Sequence, residues 1–196
     1  MKSRSNAAEL PVLAFPTQQS WAAWLDAHHD ASPGIWLRLA KKGCPIDLIN
    51  HREAVEEALC YGWIDGQLKP ESGTTWLVRF TPRRNQSIWS KINREKAAAL
   101  IESGRMKPAG LREVARARAD GRWNAAYESQ SKATVPPDLQ TALDRNARAK
   151  AFFATLDRAN RYAVLWRIQT AREAETRARR IRESVAMLER REKLHR

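Results

Sequence analysis

The sequence predicts an α+β protein: N-terminal helices packed on a small, mostly antiparallel sheet, followed by a C-terminal helical bundle. Three observations predict it. Apolar residues alternate with polar ones over 35–40 and on either side of Pro70-Glu71-Ser72-Gly73, the period of half-buried strands. Helical spacing with capping signatures flanks those strands. Beyond Pro137 the apolar pattern is wholly helical. The predicted division is 1–120 as the α+β domain, 121–137 as a linker or surface excursion, and 138–196 as a basic helical domain.

In chain order, Pro11 to Pro16 reads as an extended lead-in, and Thr17 as the N-cap of a helix to His29 with Trp21, Trp24, Leu25 and His28 on one face. After Ser32-Pro33-Gly34, the alternation of Ile35, Leu37 and Leu39 gives a strand that ends at Lys41-Lys42-Gly43. Asn50 and Glu53 form a capping box for a helix burying Val55, Ala58 and Leu59, and Gly62 closes it. Strands at Trp63–Lys69 and Thr74–Thr81 form a hairpin around Glu71-Ser72-Gly73. That loop sets Leu68 opposite Trp76, Gly66 opposite Val78 and Ile64 opposite Phe80. It also sets Trp63 opposite Thr81 and Asp65 opposite Arg79 as a cross-strand ion pair.

A helix over Ser87–Ser103 is expected to bury Trp89, Ile92, Ala99 and Leu100, and another over Pro108–Asp120 to bury Leu111, Val114 and Ala115. Apolar sets at Leu139, Ala142 and Leu143, at Phe152, Phe153 and Leu156, and at Tyr162, Ala163 and Trp166 mark the C-terminal helices. Thr170 and Glu173 read as a capping box for the last one, with the stripe Ala174, Ala178, Ile181, Val185 and Leu188.

Composition narrows the function classes. Mean hydropathy is −0.62 and 29% of the 196 residues are charged, and no run approaches the roughly 18 apolar residues of a spanning helix. The first ten residues lack the apolar stretch of a secretory signal, so the expected location is the cytoplasm. Cys44 and Cys60 read as reduced thiols, and His28, His29, His51 and His195 have no ligand spacing; no metal and no cofactor is expected. Net charge is +13, and it is uneven: residues 1–100 hold 13 Lys+Arg against 10 Asp+Glu, residues 101–196 hold 22 against 12. Such an excess attracts anionic partners, an acidic protein or nucleic acid, through the basic C-terminal helices.

The chemistry-bearing residues gather where the second hairpin strand meets the next helix. Arg79, Arg83, Arg84 and Lys91 surround a helix start that already favours anions, and Trp63 and Trp89 would add flat faces for a planar ligand. The alternative is that the indoles are core and the arginines solvate the junction. Asp65 is either a general base or the partner of Arg79; pairing would lower its pKa and oppose acid–base work. The expected function is a cytoplasmic binding or stress-associated protein with an anion site formed by Trp63, Asp65, Arg79, Arg83, Arg84, Trp89 and Lys91. Two other functions stay open: an enzyme for a small anionic substrate with Asp65 as acid/base, and a nucleic-acid binder using Arg172, Arg177, Arg179, Arg180 and Arg182.

Four stretches, Glu57-Ala-Leu-Cys-Tyr-Gly-Trp-Ile-Asp-Gly66, Arg79-Phe-Thr-Pro-Arg-Arg84, Ser87-Ile-Trp-Ser-Lys-Ile-Asn93 and Gly104-Arg-Met-Lys-Pro-Ala-Gly110, resemble in order and spacing the YdeI/OmpD-associated, bacteriocin-protection-like family. Phe152-Phe153, Arg161-Tyr162, Trp166 and Glu175 to Ile181 look like its helical domain, so the resemblance runs from about Phe15 to Arg190. It implies envelope-stress or antimicrobial-resistance associations and carries over no catalytic residue. A fainter similarity links the N-terminal half of such proteins to a frataxin-like group proposed to carry iron; the basic charge and sparse acidic cluster here oppose that.

Overall fold

A computed structural model describes residues 9–195. In chain order the elements are β1 (Val12–Ala14), α1 (Gln18–His28), β2 (Ile35–Ala40), α2 (His51–Cys60), β3 (Trp63–Pro70), β4 (Thr75–Pro82), α3 (Lys91–Glu102), α4 (Pro108–Ala119), α5 (Pro137–Asp144), α6 (Ala147–Thr155), α7 (Arg158–Gln169) and α8 (Ala174–Glu189). The chain divides into two compact units. The first takes residues up to 87 and 95–120, the second 88–94 and 121 onward.

The first unit holds a four-stranded sheet in the order β1-β2-β4-β3. β1 runs parallel to β2 and the other pairs are antiparallel, so part of the expected lead-in is a strand. One sheet face carries Ile35, Leu37, Leu39, Val78 and Phe80, all fully buried. Trp21 of α1 meets Phe80 and Trp63 edge-on at 5.9 and 6.3 Å. Both indoles find backbone acceptors: Trp21 Nε1 donates to Ala54 O and Trp63 Nε1 to His29 O, each at 3.1 Å. That satisfies the polar edge of an otherwise apolar cluster. Capping boxes start α1 at Thr17 and α2 at Asn50, and Gly62 ends α2 at a φ of +74°.

The hairpin register differs from expectation. Trp63 pairs with Pro82, Ile64 with Thr81 and Asp65 with Phe80. After an irregularity at Gly66–Gln67, Leu68 pairs with Val78 and Pro70 with Trp76. Two causes act together. The loop has four residues, 71–74, pinned by Ser72 Oγ accepting from the N–H groups of Thr74 and Thr75 at 3.1 and 3.0 Å. The shift within β3 then falls at a glycine, where a bulge costs least. Asp65 therefore lies beside Phe80 on the core side and does not face Arg79.

Helix starts and buried stripes account for the remaining differences. α3 begins at Lys91, with Ser90 Oγ accepting from Asn93 N at 3.1 Å, so residues 87–89 precede the helix. Ala97 and Leu100 are its buried residues, while Ile92 and Ala99 are exposed. On α4 Val114 and Ala117 are buried, whereas Leu111 and Ala115 are exposed. On α3 this is a narrow i, i+3 stripe, while α4 also buries Ala109 and Gly110 in its first turn.

The second unit is helical, apart from an isolated bridge between Ser90 and Tyr127. Its core joins Leu139, Leu143, Phe153, Val164, Leu165, Ile168, Ile181 and Leu188. Within residues 121–137, Trp123 packs edge-on against Trp89 at 5.0 Å. The expected Thr170–Glu173 capping box does not form: Thr170 Oγ1 donates to Trp166 O at 2.8 Å, and Glu173 caps without a side-chain bond. Among the described residues no helix is long and apolar enough to cross a membrane.

Candidate functional site

Five of the seven sequence-predicted site residues, Trp63, Asp65, Arg79, Arg83 and Arg84, belong to the first unit, and Trp89 and Lys91 to the second. Trp63 and Trp89 are each 1% exposed and packed against other rings, so neither offers a face for stacking. Lys91 Nζ is ion-paired with Glu128. Arg83 is buried, its backbone N–H donating to Gly62 O at 3.0 Å. Arg84 is exposed, in a turn where its N–H meets Ser87 Oγ at 2.9 Å.

The hairpin brings Asp65 to a partner that composition did not indicate. His51 opens α2, and its Nε2 lies 3.3 Å from Asp65 Oδ2, an ion-pair contact without hydrogen-bond alignment. The Trp76 ring backs the imidazole at 5.5 Å. Burial alone would push the Asp65 carboxyl up; contact with His51, and the nearby Arg83 charge, outweigh it and hold the group below its ordinary value. Asp65 is thus a carboxylate at neutral pH, with no proton to donate. If this arrangement moves protons, the group that does so is His51, held by Asp65 through Nε2. One sequence signal could have found it: the Asn50 cap places His51 in the first turn of the helix that runs directly into β3.

Arg79 projects from the opposite face of β4, where its cross-strand neighbour on β2 is Trp36. This outer face also holds Arg38, bound through Nε and Nη2 to Glu71, and Lys69, whose Nζ sits 4.1 Å from the centre of the Trp36 ring. Glu71 neutralises Arg38. Among the described residues no carboxylate or carbonyl reaches the Arg79 side chain, and its Nε is shielded from solvent with no hydrogen-bond partner. An always-charged guanidinium is therefore half-buried without a counter-charge.

Other reactive groups are tied down. Glu57 accepts from Gln18 at 2.7 Å and pairs with Arg105. Burial, then the Glu57 charge, push the Cys60 thiol up to about 11, which leaves it an inert core residue. Among the described residues no group of three or more His, Cys, Asp and Glu could hold a metal ion. On α8, Arg177 grips Asp138 with two bonds of 2.6 and 2.9 Å, Arg179 pairs with Glu183 at 2.8 Å, and Arg180 donates to Arg167 O. Three of the five arginines proposed for a nucleic-acid face are thus engaged within their own unit.

Two family models match the chain. One, described as a domain of unknown function (DUF8412), covers residues 13–113. The other, described as Bacteriocin-protection, YdeI or OmpD-Associated, covers residues 132–191. The four N-terminal motifs that resemble the second family fall within the first match, so that family's model is met over the helical part alone. No curated protein and no solved structure matches the chain.

Proposed function

We infer the function from this premise: the chain belongs to the family of the domain of unknown function DUF8412 and carries, over 132–191, a bacteriocin-protection, YdeI or OmpD-associated domain. It is a cytoplasmic, stress-associated binding protein whose first unit takes a small anionic ligand, a phosphate or carboxylate, on Arg79. The description of the C-terminal match, bacteriocin protection, supports the stress association. The observation that carries the ligand class is the half-buried Arg79 side chain left without a partner while neighbouring Arg38 is matched by Glu71. A buried donor without an acceptor costs about 1–3 kcal/mol, a cost that a ligand oxyanion would remove.

The test is thermal unfolding of the full chain against inorganic phosphate and small di- and tricarboxylates, for wild type and Arg79→Ala. Stabilisation of the wild type that disappears in Arg79→Ala is expected; equal stabilisation of both proteins excludes Arg79 as the anchor.

A second reading, acid–base chemistry on a small anionic substrate, is favoured by the contact of ionised Asp65 with His51. It moves the proton-transfer role from Asp65 to His51. Turnover of small phosphate or carboxylate esters that His51→Gln abolishes would support it, and absence of turnover across such a panel would remove it.

A further inference from the structure

The second unit contains a cleft of about 610 Å³, within the size range of small-molecule sites. Its walls come from the segment before α5, from α7 and from the C-terminal residues: Tyr127, Gln130, Tyr162, Trp166, Arg167 and His195 are the polar or aromatic members. Tyr127 and Trp166 stand edge to face, 6.2 Å between ring centres and 83° between planes, forming two walls of a corner. Trp166 is 37% exposed, and among the described residues it is the one aromatic side chain counted with the exposed large hydrophobics. Of the other tryptophans of this unit, Trp89 is 1% exposed, and Trp123, partly buried, packs on it.

The frame of the cleft is held by bonds that do not involve its opening. Tyr162 Oη donates to Glu128 O at 3.0 Å, Glu128 N donates to Gln169 Oε1 at 3.1 Å, and His195 N donates to Asn160 Oδ1 at 2.8 Å. Burial pushes the Tyr162 phenol up to about 12, so it remains a donor throughout the neutral range. Its titratable lining is otherwise Tyr127, Arg167 and His195; none of the nine lining residues is acidic. Arg167 Nη2 lies 3.5 Å from Glu183 Oε2 in a pair that is about two-fifths exposed on each side. Such surface pairs contribute little, and Glu183 retains the closer Arg179, so a ligand carboxylate can replace it at Arg167.

We propose that this cleft binds a small planar aromatic carboxylate, its ring lodged in the Tyr127–Trp166 corner and its carboxylate on the Arg167 guanidinium. The aromatic corner selects a flat apolar body, and a lining with cationic but no anionic side chains selects the negative head.

The experiment is calorimetric titration of the full chain with 1-naphthoate and with the uncharged 1-naphthalenemethanol, using wild type, Trp166→Ala and Arg167→Gln. The wild type binds naphthoate. Trp166→Ala and Arg167→Gln each weaken it about tenfold or more, and the neutral analogue binds the wild type about tenfold more weakly. Both cleft substitutions are at solvent-accessible positions, and circular dichroism checks that each variant is folded. No binding at millimolar naphthoate, equal binding by the cleft variants and wild type, or equal affinity for the neutral analogue would each overturn the proposal.

Discussion

The two units distribute the same residue types in opposite ways. In the first, tryptophan is core material: Trp21 and Trp63 are closed in by rings and by backbone acceptors, and the chemistry left over is a charge, Arg79. In the second, the core is built mainly of aliphatic side chains with Phe153, three arginines of α8 are absorbed by carboxylates and carbonyls, and the group left over is aromatic, Trp166. The difference teaches that an abundance of Trp or Arg is not itself a functional signal. What remains unmatched after packing is the better guide.

The comparison breaks most readily at tryptophan. Trp63→Ala should cost about 3–5 kcal/mol in urea unfolding, the range for emptying an aromatic core position, whereas Trp166→Ala should stay within about 1 kcal/mol. Similar losses for the two would erase the distinction between core and leftover indoles. Next in size is Gly110→Ala. A Cβ there would lie 2.4 Å from Cys60 O and 2.7 Å from Leu59 O, and backbone oxygens cannot swing aside, so a loss of about 2–3 kcal/mol is expected. A neutral outcome would mean that α4 does not approach α2 as closely as described.

Asp65→Asn probes the polar side of the first unit and should cost about 1–2 kcal/mol at pH 7. The folded-state pKa of Asp65 is lowered, so its contribution is fully present above the unfolded carboxylate value of about 3.9 and is lost as pH falls through the folded value. The gap between wild type and Asp65→Asn, followed by urea unfolding at stepped pH, should therefore close on the acid side. A gap that persists far on the acid side contradicts a carboxylate held ionised in the fold.

Much of the fold was legible because local rules decided it. Thr17 and Asn50 announced their helices, Gly62 its helix end, and Ile35, Leu37 and Leu39 their buried strand face. Less legible were features set by geometry at a distance. β1 is three residues long and its parallel pairing leaves no local mark. Register depended on whether the hairpin loop held three or four residues and on where β3 would bulge, and both were invisible in the apolar pattern. That register governs the site: it takes Asp65 away from Arg79, delivers it to His51, and leaves the guanidinium alone. The residue types were readable; their partners were not.

Arg79 carries the central claim, and its smallest effect on stability is the most telling. Phosphate- and carboxylate-dependent unfolding of wild type, Arg79→Ala and Arg79→Lys is the direct measurement. Without anion, Arg79→Ala should fall within about 1 kcal/mol of wild type or be more stable, since truncation removes an unmatched charge. With anion, the wild type should gain stability in a saturable manner, Arg79→Lys partly, and Arg79→Ala not at all. A large loss in Arg79→Ala without anion, or a wild type indifferent to every anion, would contradict the account.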